Sequence, residues 1–190
     1  MATTSMRLLT YVFSLLLISS TCESSTMEDT CKTFAAGHPS IGYNYCVKTF
    51  RADNASATAD VRGLAAIAAR IAGAAANCTA RRISALCASE EDARRRERLS
   101  VCAEVYSSAV DQLGEAAEDI TRGEDKSTRD ALTQLSAALD APGTCEDAFC
   151  EADDTSPLAA EDAAFRKLAT MALAFAASLA PPPSAPRISD

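Results

Sequence analysis

The 190-residue chain holds one histidine, His38, set in the turn-forming stretch Gly37-His38-Pro39-Ser40. No serine or cysteine nucleophile with a base and an orienting group is evident, so no catalytic residues are assigned. There is no second histidine and no Cys-x-x-Cys, which removes the usual zinc sites. Adjacent Cys-Cys and Cys-x-Cys pairs are missing too, and that excludes a lipid-transfer framework. The late acids Glu146, Asp147, Glu151, Asp153 and Asp154 lack the alternating spacing, central glycine and terminal glutamate of a calcium loop, and read as a solvated acidic loop. Metal and cofactor sites are therefore assigned to no residue. Positive charge is in deficit, with a formal net charge of −8. Nucleic acid and anionic membrane surfaces, which need a cationic face, are excluded as partners. The basic run Arg94-Arg95-Arg96-Glu97-Arg98 reads as a solvated helix start. Strand formers are few, whereas alanine, leucine, glutamate and arginine are plentiful, so the expected class is all-α.

What is present begins with a secretory signal over residues 1–22. Arg7 gives the positive region, Leu8 to Ile18 the apolar run, and Ser20-Thr21-Cys22 the small residues before a cut. The apolar run is too short to span a bilayer, and no later anchor follows, so a soluble exported product is expected. Eight cysteines in an exported chain imply structural bridges. If Cys22 leaves with the signal, seven remain, and at least one thiol is free or intermolecular.

Helical periodicity organises the rest. Thr26-Met27-Glu28-Asp29 resembles a capping box opening a short helix. A second short helix places Tyr43, Cys46 and Phe50 on one side, so Cys31 and Cys46 would close a hairpin. The first long helix runs from about Asp60 to Cys87, with Val61, Leu64, Ala68, Ile71, Ala75, Cys78 and Leu86 inward. The second covers Glu90 to Arg122. Its apolar residues Leu99, Cys102, Tyr106, Ala109, Leu113, Ala116 and Ile120 recur at steps of three and four and define a buried face. Cys145, after the next helical pattern, suggests a staple between two helices. The third runs from Thr128 to Leu139 with Leu132, Leu135 and Leu139 inward, ended by Pro142-Gly143 and followed by a loop over 144–150. Ser156-Pro157 starts the last helix, whose stripe is Leu158, Phe165, Leu168, Ala172, Phe175 and Leu179. Pro181-Pro182-Pro183 stops it, and residues 181–190 form a disordered tail. Four long helices with short connections make an up-down-up-down bundle preceded by the hairpin.

The chain resembles the plant invertase and pectin methylesterase inhibitor family. The resemblance rests on Cys31-x-Thr33, Tyr43-x-x-Cys46, Ala52-Asp53, the stretch 99–113, Leu135-Ser-Ala-Ala-Leu139, Thr144-Cys145-Glu146-Asp147-Ala-Phe149 and Ser156-Pro157-Leu158. The last two are most similar to the pollen-allergen-like branch of invertase inhibitors. The family implies an inhibitor domain over residues 26–180 and the pairings Cys31–Cys46 and Cys102–Cys145. In the chain-entropy model these contribute about 3 and about 4 kcal/mol. It also implies a secreted, non-enzymatic inhibitor that binds one-to-one to invertase or pectin methylesterase and occludes its cleft. The expected location is the apoplast rather than the vacuole. The alternative is a non-inhibitory, allergen-like binding protein on the same bundle.

Three further expectations are local. Where invertase inhibitors of the family carry Pro-Lys-Phe, this chain reads Asp125-Lys126-Ser127. Glu124, Asp125, Lys126 and Ser127 are the candidate partner-contact loop, with Lys126 aimed at a carboxylate of the enzyme; the plain alternative is a solvated turn. Cys78 and Cys87 lie on opposite sides of one helix, about 13 Å apart along its axis, and cannot pair. Cys78 then reads as a buried thiol, and Cys87 with Cys150 as a possible third bridge. Asn54-Ala-Ser56 is expected to carry a glycan in a loop, and Asn77-Cys-Thr79 to go unused within its helix.

Overall fold

The computed structural model describes residues 24–180. The expected signal segment 1–22 and the tail 181–190 lie outside the described residues. The fold is all-helical and divides after Asp60 into two compact units.

The first unit is a helical hairpin of α1 (Ser24–Gly37) and α2 (Tyr43–Arg51), followed by a 3-10 turn, Asn54–Ala57. Thr26 does not cap α1, because the helix already begins at Ser24; the Thr26 carbonyl instead accepts from Thr30 Oγ1 at 2.6 Å. Beyond Gly37 the His38 amide donates to the Phe34 carbonyl at 3.0 Å, and the half-buried His38 ring stacks on Phe34. Gly42, with φ 79°, makes the left-handed turn into α2 that a side chain would disfavour. Cys46, Val47 and Phe50 are the buried face of α2, and Cys46 is bridged to Cys31 across a Cα separation of 5.7 Å.

The second unit contains α3 (Val61–Ser89), α4 (Ala93–Arg122), α5 (Asp125–Cys150) and α6 (Ala159–Ala177). Each packs on its chain neighbours, and α3 meets α6 to close the ring. The connections are short, so the helices alternate in direction. The α4 stripe from Leu99 to Ile120 is buried throughout, with Tyr106 at its centre. Cys102 on that stripe is joined to Cys145 of α5, with Cα atoms 4.6 Å apart.

Three expectations about the bundle require correction. On α3 the buried line is Leu64, Ala68, Ala72, Ala76, Thr79 and Ile83, and Cys78 is exposed. With alanine on every side of α3, steps of three and four after Ala68 both reach apolar residues, and packing chose the steps of four. Thr79 tolerates burial because its hydroxyl donates to the Ala75 carbonyl at 3.2 Å. The helix is long and apolar enough by composition to cross a membrane, but half of its most apolar window is buried inside the bundle. Next, Pro142 does not end α5, which continues to Cys150. Proline withholds one N–H, from the Ala138 carbonyl. Burial of Ala141, Pro142 and Cys145, and the bridge to Cys102, hold the following turns helical. The buried face of α5 is accordingly Ala131, Leu135 and Ala138, with Leu132 and Leu139 only half-buried. Last, α6 starts at Ala159, later than Ser156-Pro157, although the Ser156 hydroxyl still accepts from the Leu158 amide at 3.1 Å.

Candidate interaction site

The α4–α5 corner is the tightest connection in the bundle. Gly123 closes α4 in the left-handed conformation, φ 79°, and its amide donates to the Asp119 carbonyl. Arg62 of α3 covers this turn: Nη1 donates to the Ile120 carbonyl at 3.1 Å, satisfying one of the last α4 carbonyls. Glu124 then serves as the N-cap of α5, its carbonyl accepting from the Thr128 amide at 2.9 Å and the Thr128 hydroxyl at 3.1 Å.

This geometry sorts the predicted contact residues. Glu124, Asp125 and Lys126 are exposed, and Lys126 makes no ion pair among the described residues. Ser127 is 6% exposed and is withdrawn from the contact set. The reason is that residues 125–127 are the first turn of α5 and not a loop, so Ser127 and Thr128 turn inward together. Beside the corner, α3 and α4 leave an open groove of about 530 Å³, lined by Arg70, Gly114, Ala117, Glu118, Thr121 and Arg122. A Cβ on Gly114 would meet nothing within 4 Å, so the groove has spare room along α4. Arg122 is paired with Asp119 and, at 3.7 Å, with Glu118, whereas exposed Arg70 has no ion pair. The corner thus presents two uncommitted cations, Lys126 and Arg70, which suits a carboxylate-bearing protein surface.

The opposite end of the bundle overturns two readings of solvated charge. Asp154, in the α5–α6 connection, accepts from Arg95 Nη1 at 2.7 Å and from Arg98 Nη2 at 2.9 Å. Arg95 Nε also pairs with Glu90 at 3.2 Å, and both guanidinium groups lie over the Phe149 ring, 5.5 and 5.6 Å from its centre. The expected run of solvated arginines is in part a clamp between two connections. Burial works against the Asp154 carboxylate, but the Thr155 amide and the two arginines outweigh it and hold its pKa below the ordinary range.

The remaining sequence expectations fall elsewhere. Cys78, Cys87 and Cys150 are free thiols, so the Cys87–Cys150 bridge is not formed. Because α5 stays helical past Cys145, Cys150 sits about 140° around the helix from it and faces solvent when Cys145 faces the core. Asn54 is exposed at the start of the 3-10 turn rather than in an open loop, while Ser56 of its sequon is buried. Asn77 is also exposed, and the buried residue beside it is Thr79 rather than Cys78.

Sequence reasoning missed Asp162. It is fully buried on α6, and the Tyr106 hydroxyl donates to its Oδ1 at 2.5 Å. The signal was available: Leu158, Asp162, Phe165, Ala169, Ala172 and Ala176 follow one helical stripe, and the carboxylate occupies a core position in it.

The fold and site define a non-catalytic helical protein with one disulfide in each unit and an exposed corner suited to a protein partner. Residues 17–175 match the family model described as plant invertase/pectin methylesterase inhibitor, and the chain belongs to that family. It is 32% identical to a protein of Platanus acerifolia named "Putative invertase inhibitor", over 85% of this chain and 89% of that one. It is 36% identical to a pectinesterase inhibitor of Actinidia deliciosa, over 55% of each. Among solved structures, a pectin methylesterase inhibitor from Arabidopsis thaliana superposes with a TM-score of 0.58 at 22% identity, covering 84% of this chain and 99% of that one. The family is one of inhibitors, so the protein is not an enzyme.

Proposed function

We propose that the protein is a secreted inhibitor that binds invertase or pectin methylesterase of the plant cell wall one-to-one and occludes the substrate cleft through its α4–α5 corner. The observation that carries this reading is the exposed, unpaired Lys126 at a corner held rigid by Gly123 and Arg62. A rigid bundle loses little conformational freedom on docking, so most of its contact energy appears as affinity. Both target classes stay in the proposal, because the similar proteins named for each class match the same chain. Export rests on the character of residues 1–22, which also fits use of Asn54 as a glycan site.

The test is a titration of oxidised, purified protein against an acid invertase and a pectin methylesterase. Stoichiometric loss of one activity, relieved by competing substrate, supports the reading. Full activity of broad panels of both enzymes at a large excess of the protein overturns it and leaves the non-inhibitory binding protein.

A further inference from the structure

The described part of the bundle core contains one polar pair for which partner binding has no evident use. Tyr106 of α4 and Asp162 of α6 meet in the interior, both with no exposed surface, and are joined by the 2.5 Å hydrogen bond from the tyrosine hydroxyl to Oδ1. The second oxygen, Oδ2, is buried and has no hydrogen-bond partner among the described residues. A charged carboxylate left in that state is expensive, and a neutral carboxyl much less so.

The surroundings offer it no cation. Glu146 on α5 faces the pair, but it is bound to Arg166 of α6 at 3.0 Å. Glu161 on α6 is bound to Arg82 of α3 at 2.6 Å. Each neighbouring acid thus holds an arginine from another helix, while Asp162 has only the neutral tyrosine. We infer that the Tyr106–Asp162 pair is an acid-responsive pin between α4 and α6, taking up a proton at Oδ2 in acidic medium and tightening the folded bundle when it does so. The inference is independent of which enzyme, if any, the protein binds.

Burial, opposed by the Tyr106 hydrogen bond and helped by Glu146, raises the Asp162 pKa to about 6. An aspartate in the unfolded chain titrates near 3.9. The folded state therefore holds the proton more tightly than the unfolded one. The resulting stabilisation is fully present below about pH 3.9 and is lost as pH rises through about 6. Ionised Tyr106 would face the same burial and the adjacent carboxylate, so its pKa is pushed upward and it remains the donor.

The experiment compares urea unfolding of wild type and Asp162→Asn from pH 7 to pH 4.5, with a carboxyl-carbon NMR titration of Asp162 in the folded wild type. The asparagine cannot take up the proton, so the ratio of wild-type to variant folding constants should rise at least tenfold as pH falls across that range. Tyr106→Phe removes the donor that favours the charged form, and should move the Asp162 titration to higher pH. If Asp162→Asn fails to fold, the wild-type carboxyl signal decides alone: titration near pH 6 supports the pin. Titration below pH 4.5, or parallel pH profiles for wild type and Asp162→Asn, overturns it.

Discussion

The two ends of the bundle solve the same problem in opposite ways. At the end formed by the α3–α4 and α5–α6 connections, charge is consumed internally: Arg95 and Arg98 share Asp154 and lie over Phe149. The Cys102–Cys145 bridge lies toward the same end. At the α4–α5 end the backbone is secured by Gly123 and by Arg62 on the Ile120 carbonyl, which leaves Lys126 and Arg70 uncommitted. The contrast teaches that charge exposed on a helical protein acquires meaning from its partners. A cation already paired across two connections contributes to the fold, and one left unpaired on a rigid corner is available to another molecule.

The largest way to break the contrast is to cut the staple of the closed end. Replacing Cys102 and Cys145 together by alanine should cost about 4 kcal/mol of stability, from the loop of 43 residues that the bridge closes. Urea unfolding of the double variant against wild type reads this directly. The change in slope with urea should be small beside the change in midpoint if the bridge acts on the unfolded chain.

Asp154→Ala comes next. It leaves Arg95 and Arg98 together without their carboxylate and should lower the thermal midpoint, by less than loss of the disulfide. Its pH signature separates it from the interior pin. The Asp154 carboxyl is held below the ordinary range, so its contribution is present above the ordinary aspartate pKa and is lost as pH falls through the lowered value. The wild-type and Asp154→Ala midpoints should converge in strong acid. The Tyr106–Asp162 pair has the reverse sign, gaining stability over the milder range below about pH 6. A single acid titration of the two variants should therefore show one gap closing as pH falls while the other changes at higher pH.

At the open end, Gly123→Ala should cost about 1 kcal/mol, because a side chain is disfavoured at φ 79°. The added Cβ would also lie 3.4 Å from the Arg62 guanidinium, which moves aside more easily than backbone would. Thermal unfolding measures the cost, and inhibition assays on the same variant show whether the corner must be rigid to act.

How much of this was legible beforehand depends on residue size and sequence distance. The α4 stripe was readable because Leu99, Tyr106, Leu113 and Ile120 are large and separated by polar residues, so only one face can be buried. The α3 face was not, since alanine satisfies several registers and only the neighbouring helices choose between them. Pro142 misled because its local cost was visible in the sequence, whereas the compensating bridge came from Cys102, 40 residues earlier. The clamp on Asp154 was hidden for a similar reason. Arg95 and Asp154 are far apart in the chain, and each looks like an ordinary surface charge until the fold brings their connections together. Of the candidate corner, Lys126 was identified from the sequence, but the inward turn of Ser127 followed only from the start of α5.

The smallest effect on stability is expected at Lys126, and there the comparison becomes sharpest. Lys126→Ala removes an exposed side chain with no ion pair, so the unfolding midpoint should stay within about 0.5 kcal/mol of wild type. If Lys126 meets a carboxylate of the target, the same substitution removes one charge-assisted contact and should weaken inhibition about tenfold. Arginine at this position should retain most of the inhibition, because it keeps the charge. Asp154→Ala should show the inverse pattern, with lower stability and unchanged inhibition below the unfolding temperature. Unaltered inhibition by Lys126→Ala would move the contact surface off the corner, toward the Arg70 groove or another face, while leaving the internal clamp of the closed end intact.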